Sequence, residues 1–267
     1  MTTYISLKFR SVQLVTALLF LSLAATHSHS REQVRVGVAH FPPFIINTDG
    51  IVGGLAADML ALMNAEQLHY EFVAVPTLAD TRHEIFKLGR YDMSMFDSLA
   101  WGWEGFDVDA SEVYLRGGEI YIALAKPGRD QSYFDNLLDK KMIGIKGYHY
   151  AFAGFNSDPE YLAKTYQMSL SRSNQGSIQM LLSGTRGDIA VITRSFLAIH
   201  LQQNPQDKEK LLLSDKMDQT YEHRIILRRN ISPTIDEINK LLSQLKRSGQ
   251  LDALWKQIQI TPQQLPH

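Results

Sequence analysis

The 267-residue sequence contains no cysteine, so it forms no disulfide, no thiolate metal site and no cysteine nucleophile. It has no excess of either charge: 27 Lys and Arg stand against 28 Asp and Glu, a net charge of −1. That balance gives no drive toward nucleic acid or anionic lipid, and basic runs such as Arg228-Arg229 are too short to change it. With 17 glycines and 9 prolines, the chain is neither collagen-like nor a linker, and no internal repeat of fixed period appears. The signatures His-Glu-x-x-His, Gly-x-Ser-x-Gly and Gly-x-x-x-x-Gly-Lys are missing. His40, His69, His83, His149, His200 and His223 show no paired ligand spacing, so neither a metal nor a cofactor is expected. What is present, 45% hydrophobic and 21% charged residues, is the balance of a folded globular chain.

Residues 1–30 form a segment of their own. Lys8 and Arg10 precede an uncharged apolar stretch, Val12 to Ala25, which gives way to Thr26-His27-Ser28-His29-Ser30. The apolar part is shorter than the roughly 20 residues of a membrane-spanning helix, and the order of regions is that of a cleaved export signal. Cleavage near residues 28–30 places the mature chain outside the cytoplasm, in the periplasm. No cysteine follows the apolar stretch, so a lipid anchor is not expected. A mature chain of roughly 237 residues is long enough to be held together by its core alone.

Along that chain the pattern alternates between strand and helix. Val34–Ala39 reads as a strand stopped by Phe41-Pro42-Pro43-Phe44, because proline cannot donate to a ladder. Leu55, Met59, Leu62 and Met63 recur at helical spacing up to about Gln67, and Tyr70–Val75 reads as the next strand. A short helix with Ile85 and Leu88 ends at Gly89 before a strand over Tyr91–Phe96. This order predicts an α/β layer with a mostly parallel sheet. Ile120–Ala125 is a fourth strand, punctuated by Lys126-Pro127-Gly128, where a domain crossing is expected. A second series follows: a strand over Met142–Ile145, a helix after Gly147, a helix over Ser177–Ser183 and a strand over Ile189–Ile192. A strand over Arg224–Leu227 leads to a helix with the stripe Ile235, Ile238, Leu241, Leu242 and Leu245. Gly249 ends it, and a last short helix carries Leu251, Leu254, Trp255 and Ile258.

Several phrases resemble the bacterial periplasmic solute-binding proteins of the amino-acid type, family 3, the receptors of ABC importers. VRVGVAHFPPF followed by GGLAADML is similar to the family's opening strand, Pro-Phe turn and Gly-Phe-Asp-x-Asp-Leu helix start, with Leu55 for the Phe, Asp58 for the second Asp and Ala56 in place of the first. Gly89-Arg90-Tyr91-Asp92 and Val108-Asp109-Ala110-Ser111-Glu112-Val113-Tyr114 resemble Gly-x-x-Asp and Val-Asp-Phe-Ser-x-Pro-Tyr. The phrases from Lys141 to Gly147, Leu181 to Ala190 and Ser248 to Leu254 resemble the second-lobe opening, its closing helix-to-strand phrase and the final helix-turn-helix. The resemblance implies an α/β, two-lobe periplasmic binding protein type II fold with a hinge and an interlobe cleft. Lobe one is then 31–125 with a return over 222–260, lobe two is 126–221, and 261–267 is a tail. A small-molecule ligand, an ABC permease in the inner membrane and a monomeric state are implied as well.

At the site the chain departs from that family. The resemblance places a lobe-one Arg on the ligand carboxylate and a lobe-two Asp on its ammonium. Ungapped counting puts Glu104 at the first position and Thr193 at the second, so neither half of the clamp is present. Asp97, Leu99, Trp101, Trp103 and Glu104 share one loop region, with Phe41 where the family stacks an aromatic. Two carboxylates and three aromatic faces suit an organic amine, each face worth about 0.5 to 2 kcal/mol. On lobe two Tyr148 and His149 open a helix start, and Arg194 follows Thr193. Arg194 leaves open an amine-bearing zwitterion in another orientation. The ordinary alternatives are that Trp101, Trp103 and Phe41 are plain core and that Glu104, Tyr148 and His149 face solvent. A binding module signalling to a membrane receptor, and a dehydratase-like enzyme with Glu104 as acid, are the other functional readings.

Overall fold

The computed structural model describes residues 30–258, so the expected export signal and the tail lie outside the described residues. Glu32–Ala39 is β1, and Ile46–Thr48 and Ile51–Gly53 are β2 and β3, a separate hairpin. Leu55–Glu66 (α1), Tyr70–Thr77 (β4), Arg82–Lys87 (α2), Met93–Asp97 (β5), Val108–Ala110 (β6) and Leu115–Leu124 (β7) follow. Then come Met142–Ile145 (β8), Pro159–Tyr166 (α3), Ser169–Ser171 (β9), Asn174–Leu182 (α4), Ile189–Thr193 (β10) and Arg194–Gln203 (α5). Leu211–Arg228 (β11), Ile235–Arg247 (α6) and Gln250–Gln257 (α7) are the last elements among the described residues.

Nine strands join in the order β4-β1-β5-β11-β7-β10-β8-β9, with β6 on β11. Pairing is parallel between β1 and β5, β8 and β10, and β8 and β9. It is antiparallel between β11 and each of β5, β6 and β7, and between β7 and β10. The sheet is therefore mixed rather than mostly parallel, because β7 and β11 run against each other through its middle. Their length matters: one end of β11 pairs with β5 and β6, while the rest pairs only with β7.

The core divides along these two strands. Val36, Phe44, Met59, Ile225, Leu245 and Trp255 belong to one cluster. Ile122, Ile143, Ile178, Ala190 and Leu197 belong to another, and Tyr121, Met142, Tyr150 and Val191 to a third on the opposite face of the same strands. Strands β8 and β10 are buried at every residue because helices cover both faces, which is why they read as continuous apolar runs. The architecture is α/β with two lobes, and β7 and β11 pass between them.

The expected helix after Gly147 is absent: a 3-10 turn over Ala151–Ala153 stands there, and α3 starts only at Pro159. Its start is set by Asp158, whose side chain accepts from Tyr161 N at 2.7 Å. Helix α4 likewise begins earlier than its apolar residues indicate, because Ser173 caps it through Gly176 N. Helix α6 opens on a capping box: Thr234 N donates to Glu237 Oε2 at 2.7 Å and Glu237 N to Thr234 Oγ1 at 3.4 Å. Thr234→Ala is expected to cost about 1 kcal/mol and to lower Tm by about 2 to 4 °C in a thermal melt. No helix among the described residues is long and apolar enough to cross a membrane.

Candidate functional site

A cavity of ≈ 50 Å3 lies where the middle of β7 and of β11 meets the loops that follow β1, β5 and β8. That is room for a few waters or a small organic group. Phe41, Arg82, Asp97, Trp101, Glu119, Tyr148, His149 and Gln219 are among its lining residues.

Phe41 reaches the cavity because the Pro-Pro turn closes on itself. Phe41 N donates to Ile45 O at 2.8 Å and Ile45 N to Phe41 O at 2.9 Å, which holds the ring over the end of β1. Its edge meets Trp101 at 5.7 Å and Tyr148 at 5.5 Å between centroids, giving three aromatic walls. Tyr148 also donates to His40 O at 3.2 Å. Behind this wall His223 is fully buried among Phe44, Phe96 and Tyr221, and neither ring nitrogen makes a hydrogen bond of normal geometry. Burial lowers its pKa to about 3, so it sits there as a neutral ring.

Arg82 organises the polar side. Nη1 donates to Ala79 O at 2.7 Å and to Gly147 O at 3.1 Å, and Nη2 to Trp101 O at 2.8 Å and to His149 Nδ1 at 3.5 Å. Nε stands 3.8 Å from Asp97 Oδ2. The four N–H groups on Nη1 and Nη2 meet four protein acceptors and Nε faces Asp97 at ion-pair distance, so a ligand carboxylate would have to displace partners the guanidinium already has. Asp97 further accepts from Ser94 Oγ and Ser98 N, both at 2.8 Å. Because Arg82 only donates, His149 Nδ1 is the acceptor and its proton sits on Nε2. Burial first, then the charge of Arg82, lowers the His149 pKa to about 3.

Glu119 stands on β7 opposite Gln219 on β11, where the ladder slips between Met217 and Gln219. Such an irregularity re-aims side chains, and here Gln219 spans the cavity. Gln219 Oε1 accepts from Trp101 Nε1 at 3.0 Å, while Nε2 donates to Glu119 Oε2 at 3.1 Å and to His149 O at 2.6 Å. Burial, reinforced by the nearby Asp218 charge, pushes the Glu119 pKa up to about 8. Asp218 is itself raised by burial, although Tyr121 Oη, Ala151 N and Phe152 N donate to it. Arg82 and Asp97 offset one another, so the cavity retains one carboxyl group without a countercharge, Glu119.

Of the residues expected from sequence, Phe41, Asp97, Trp101, Tyr148 and His149 line the cavity together. The other five lie elsewhere. Leu99 is 48% exposed, and Glu104 is exposed and outside the lining. Trp103 points away into a small core with Phe86, ring centroids 5.0 Å apart. Thr193 is fully buried in a reciprocal pair with Asn174, Nδ2 to Oγ1 and N to Oδ1, both at 3.1 Å. Arg194, half-buried, opens α5 outside the lining. The carboxylates present are Asp97 and Glu119, not Asp97 and Glu104. Arg82, Glu119 and Gln219 escaped the sequence reading, and the one signal for Glu119 is an acid opening the apolar run Ile120–Leu124.

Two α/β lobes bridged by paired strands, with a polar cavity at the bridge, define the two-lobe fold of the periplasmic binding proteins. Among solved structures of this fold, the chain is similar to a mutant of ArgBP from T. maritima, at 20% identity and a TM-score of 0.66 over 85% of this chain and 95% of that one. Tv2483 bound to L-arginine is 16% identical, with a TM-score of 0.68 over 86% of this chain and 91% of that one. The GluR0 ligand-binding core from Nostoc punctiforme, in complex with L-glutamate, is 17% identical, with a TM-score of 0.66 over 85% and 99%. No family model matches the sequence, and no curated protein is similar to it.

Proposed function

We propose that this chain is an exported solute-binding protein, a divergent member of family 3, that captures a small molecule bearing one ammonium group and no carboxylate. It does no chemistry on the ligand and delivers it as a monomer to an ABC permease. Export rests on the leader-like residues 1–30. Lobe one is 31–125 with 222–260, and lobe two is 126–221. Phe41, Asp97, Trp101, Tyr148, His149 and Glu119 are the proposed ligand contacts.

The observation that carries this reading is the charge count of the cavity. Arg82 has its donors committed to Ala79, Gly147, Trp101, His149 and Asp97, whereas Glu119 has no cation. A ligand carboxylate thus has nothing to meet, and an ammonium has both a counter-ion and aromatic faces. Ligands named in the neighbours' structures, arginine and glutamate, carry the carboxylate that this cavity does not serve.

A thermal-shift screen tests it. Small primary amines such as isobutylammonium are expected to raise Tm by about 5 to 10 °C at a hundredfold excess over Kd, which corresponds to about 2.7 kcal/mol. Free amino acids and sugars are expected to leave Tm unchanged. Stabilisation by amino acids with none by amines overturns the reading.

A further inference from the structure

A carboxylate enclosed away from water without a countercharge is costly, so it either holds a proton or is paired by something that arrives. Glu119 is in that situation, 3% exposed at the cavity wall. Around it are Asp218, Gln219 and Tyr221 from β11, Tyr121 from β7, Thr193 from β10, and Tyr148, His149 and Tyr150 from the segment after β8. None of these is a cation, since His149 is held neutral, and Arg82, which lines the same cavity, is paired with Asp97.

The two oxygens of Glu119 are not equivalent. An indole N–H only donates, so Trp101 fixes Oε1 of Gln219 as an acceptor and turns Nε2 toward Glu119. Oε2 of Glu119 is therefore an acceptor in every state. Among the described residues no donor reaches Oε1, which leaves it as the oxygen that bears a proton or meets a ligand.

We propose that Glu119 is a proton-exchanging counter-ion: capture of the ligand's ammonium expels the proton held on Oε1, so that one cation replaces another in the cavity. The proposal rests on the amine reading above. In the exchange the O–H bond of the carboxyl breaks, its electron pair stays on Oε1, and the proton leaves to the buffer. An N–H of the ammonium then donates to Oε1, and no bond to carbon changes. Burial and the Asp218 charge, which push the group up to about 8, put the exchange in the physiological range. At pH 7 most of the molecules then carry the proton. Amine affinity should rise about tenfold per pH unit below pH 8 and flatten above it. A carboxylate already ionised would give a flat profile.

Two measurements on the purified protein separate this proposal from the reading beneath it. Carbon-13 NMR of the glutamate carboxyls, without any amine, is expected to show one resonance titrating near pH 8 that is missing in Glu119→Gln. If every glutamate carboxyl is already ionised at pH 6.5, the proposal falls whatever the ligand. Calorimetry with isobutylammonium chloride at pH 7, in phosphate and in HEPES, whose ionisation enthalpies differ and neither of which is a primary amine, is expected to show release of most of one proton per amine bound. In Glu119→Gln the release should vanish and the affinity drop at least tenfold. Binding with no proton release overturns the exchange and leaves the amine reading standing. If no amine binds although Glu119 titrates near pH 8, the amine reading falls and takes the counter-ion role with it.

Discussion

Arg82→Met is expected to destabilise the protein by about 3 to 5 kcal/mol and to lower Tm by about 10 °C. Arg82 is 8% exposed, and its guanidinium is the shared donor to the carbonyls of Ala79, Trp101 and Gly147. Methionine fills much of the volume but supplies no donor, so three carbonyls lose a partner and Asp97 loses its countercharge at 3.8 Å. Truncating one member of a buried pair costs more than the pair contributes, because the remaining charge stays buried. Arg82→Lys is expected to recover less than half of the loss, since a single ammonium cannot address carbonyls spread around a planar fork. Urea denaturation of the three proteins gives the comparison. A loss below 1 kcal/mol for the methionine variant would mean that water replaces the fork, and Arg82 would no longer account for the order of the cavity.

How much of this was legible beforehand depends on whether local or distant contacts decide the outcome. Strands β1, β5, β8 and β10 and helices α1, α6 and α7 follow from periodicity alone, because one buried stripe or a doubly buried run fixes each. The full extents of β7 and β11 do not. Their polar halves, Leu115 to Glu119 and Met217 to His223, are held by pairing with each other, and a single strand's pattern does not record its partner. Arg82 is the sharpest case in the site. Within Thr81-Arg82-His83-Glu84 it reads as an exposed residue on a short helix, and only carbonyls from three separate segments make it buried. Trp103 and Glu104 were expected beside Trp101, but Gly102 carries a φ of +84° and turns the chain there. Trp101 stays at the cavity, Trp103 goes into the Phe86 core and Glu104 into solvent. A count along the sequence cannot carry register through such a turn.

Gly147→Val is expected to abolish amine binding, at least a hundredfold in Kd, while leaving most of the fold's stability. Gly147 lies in the turn just after β8 with a φ of +83°, and a Cβ there would lie 2.3 Å from Asp80 N and 2.5 Å from Ala79 C. These are backbone atoms just ahead of α2, so no rotamer change relieves the contact. The same junction carries the Lys146 to Asp80 ion pair at 2.7 Å and the Arg82 bond to Gly147 O, which draw the turn after β8 onto the segment before α2. A valine must push these two segments apart. Their separation removes Tyr148 and His149 from Phe41, Trp101 and Arg82, which is to say it dismantles the cavity across its middle. The clusters around Met59 and around Ile143 lie on either side of the break and are not themselves cut into. The stability cost is then confined to a positive φ without glycine, about 1 to 2 kcal/mol, and to the lost junction bonds. Small-angle scattering should show a larger radius of gyration than the wild type, and calorimetry with isobutylammonium should show no heat of binding. Gly147→Ala meets the same two backbone atoms and should behave alike. If the valine variant is as compact as the wild type and binds within threefold of it, the junction at Gly147 does not control the cavity. The site would then have to be assembled from one lobe alone.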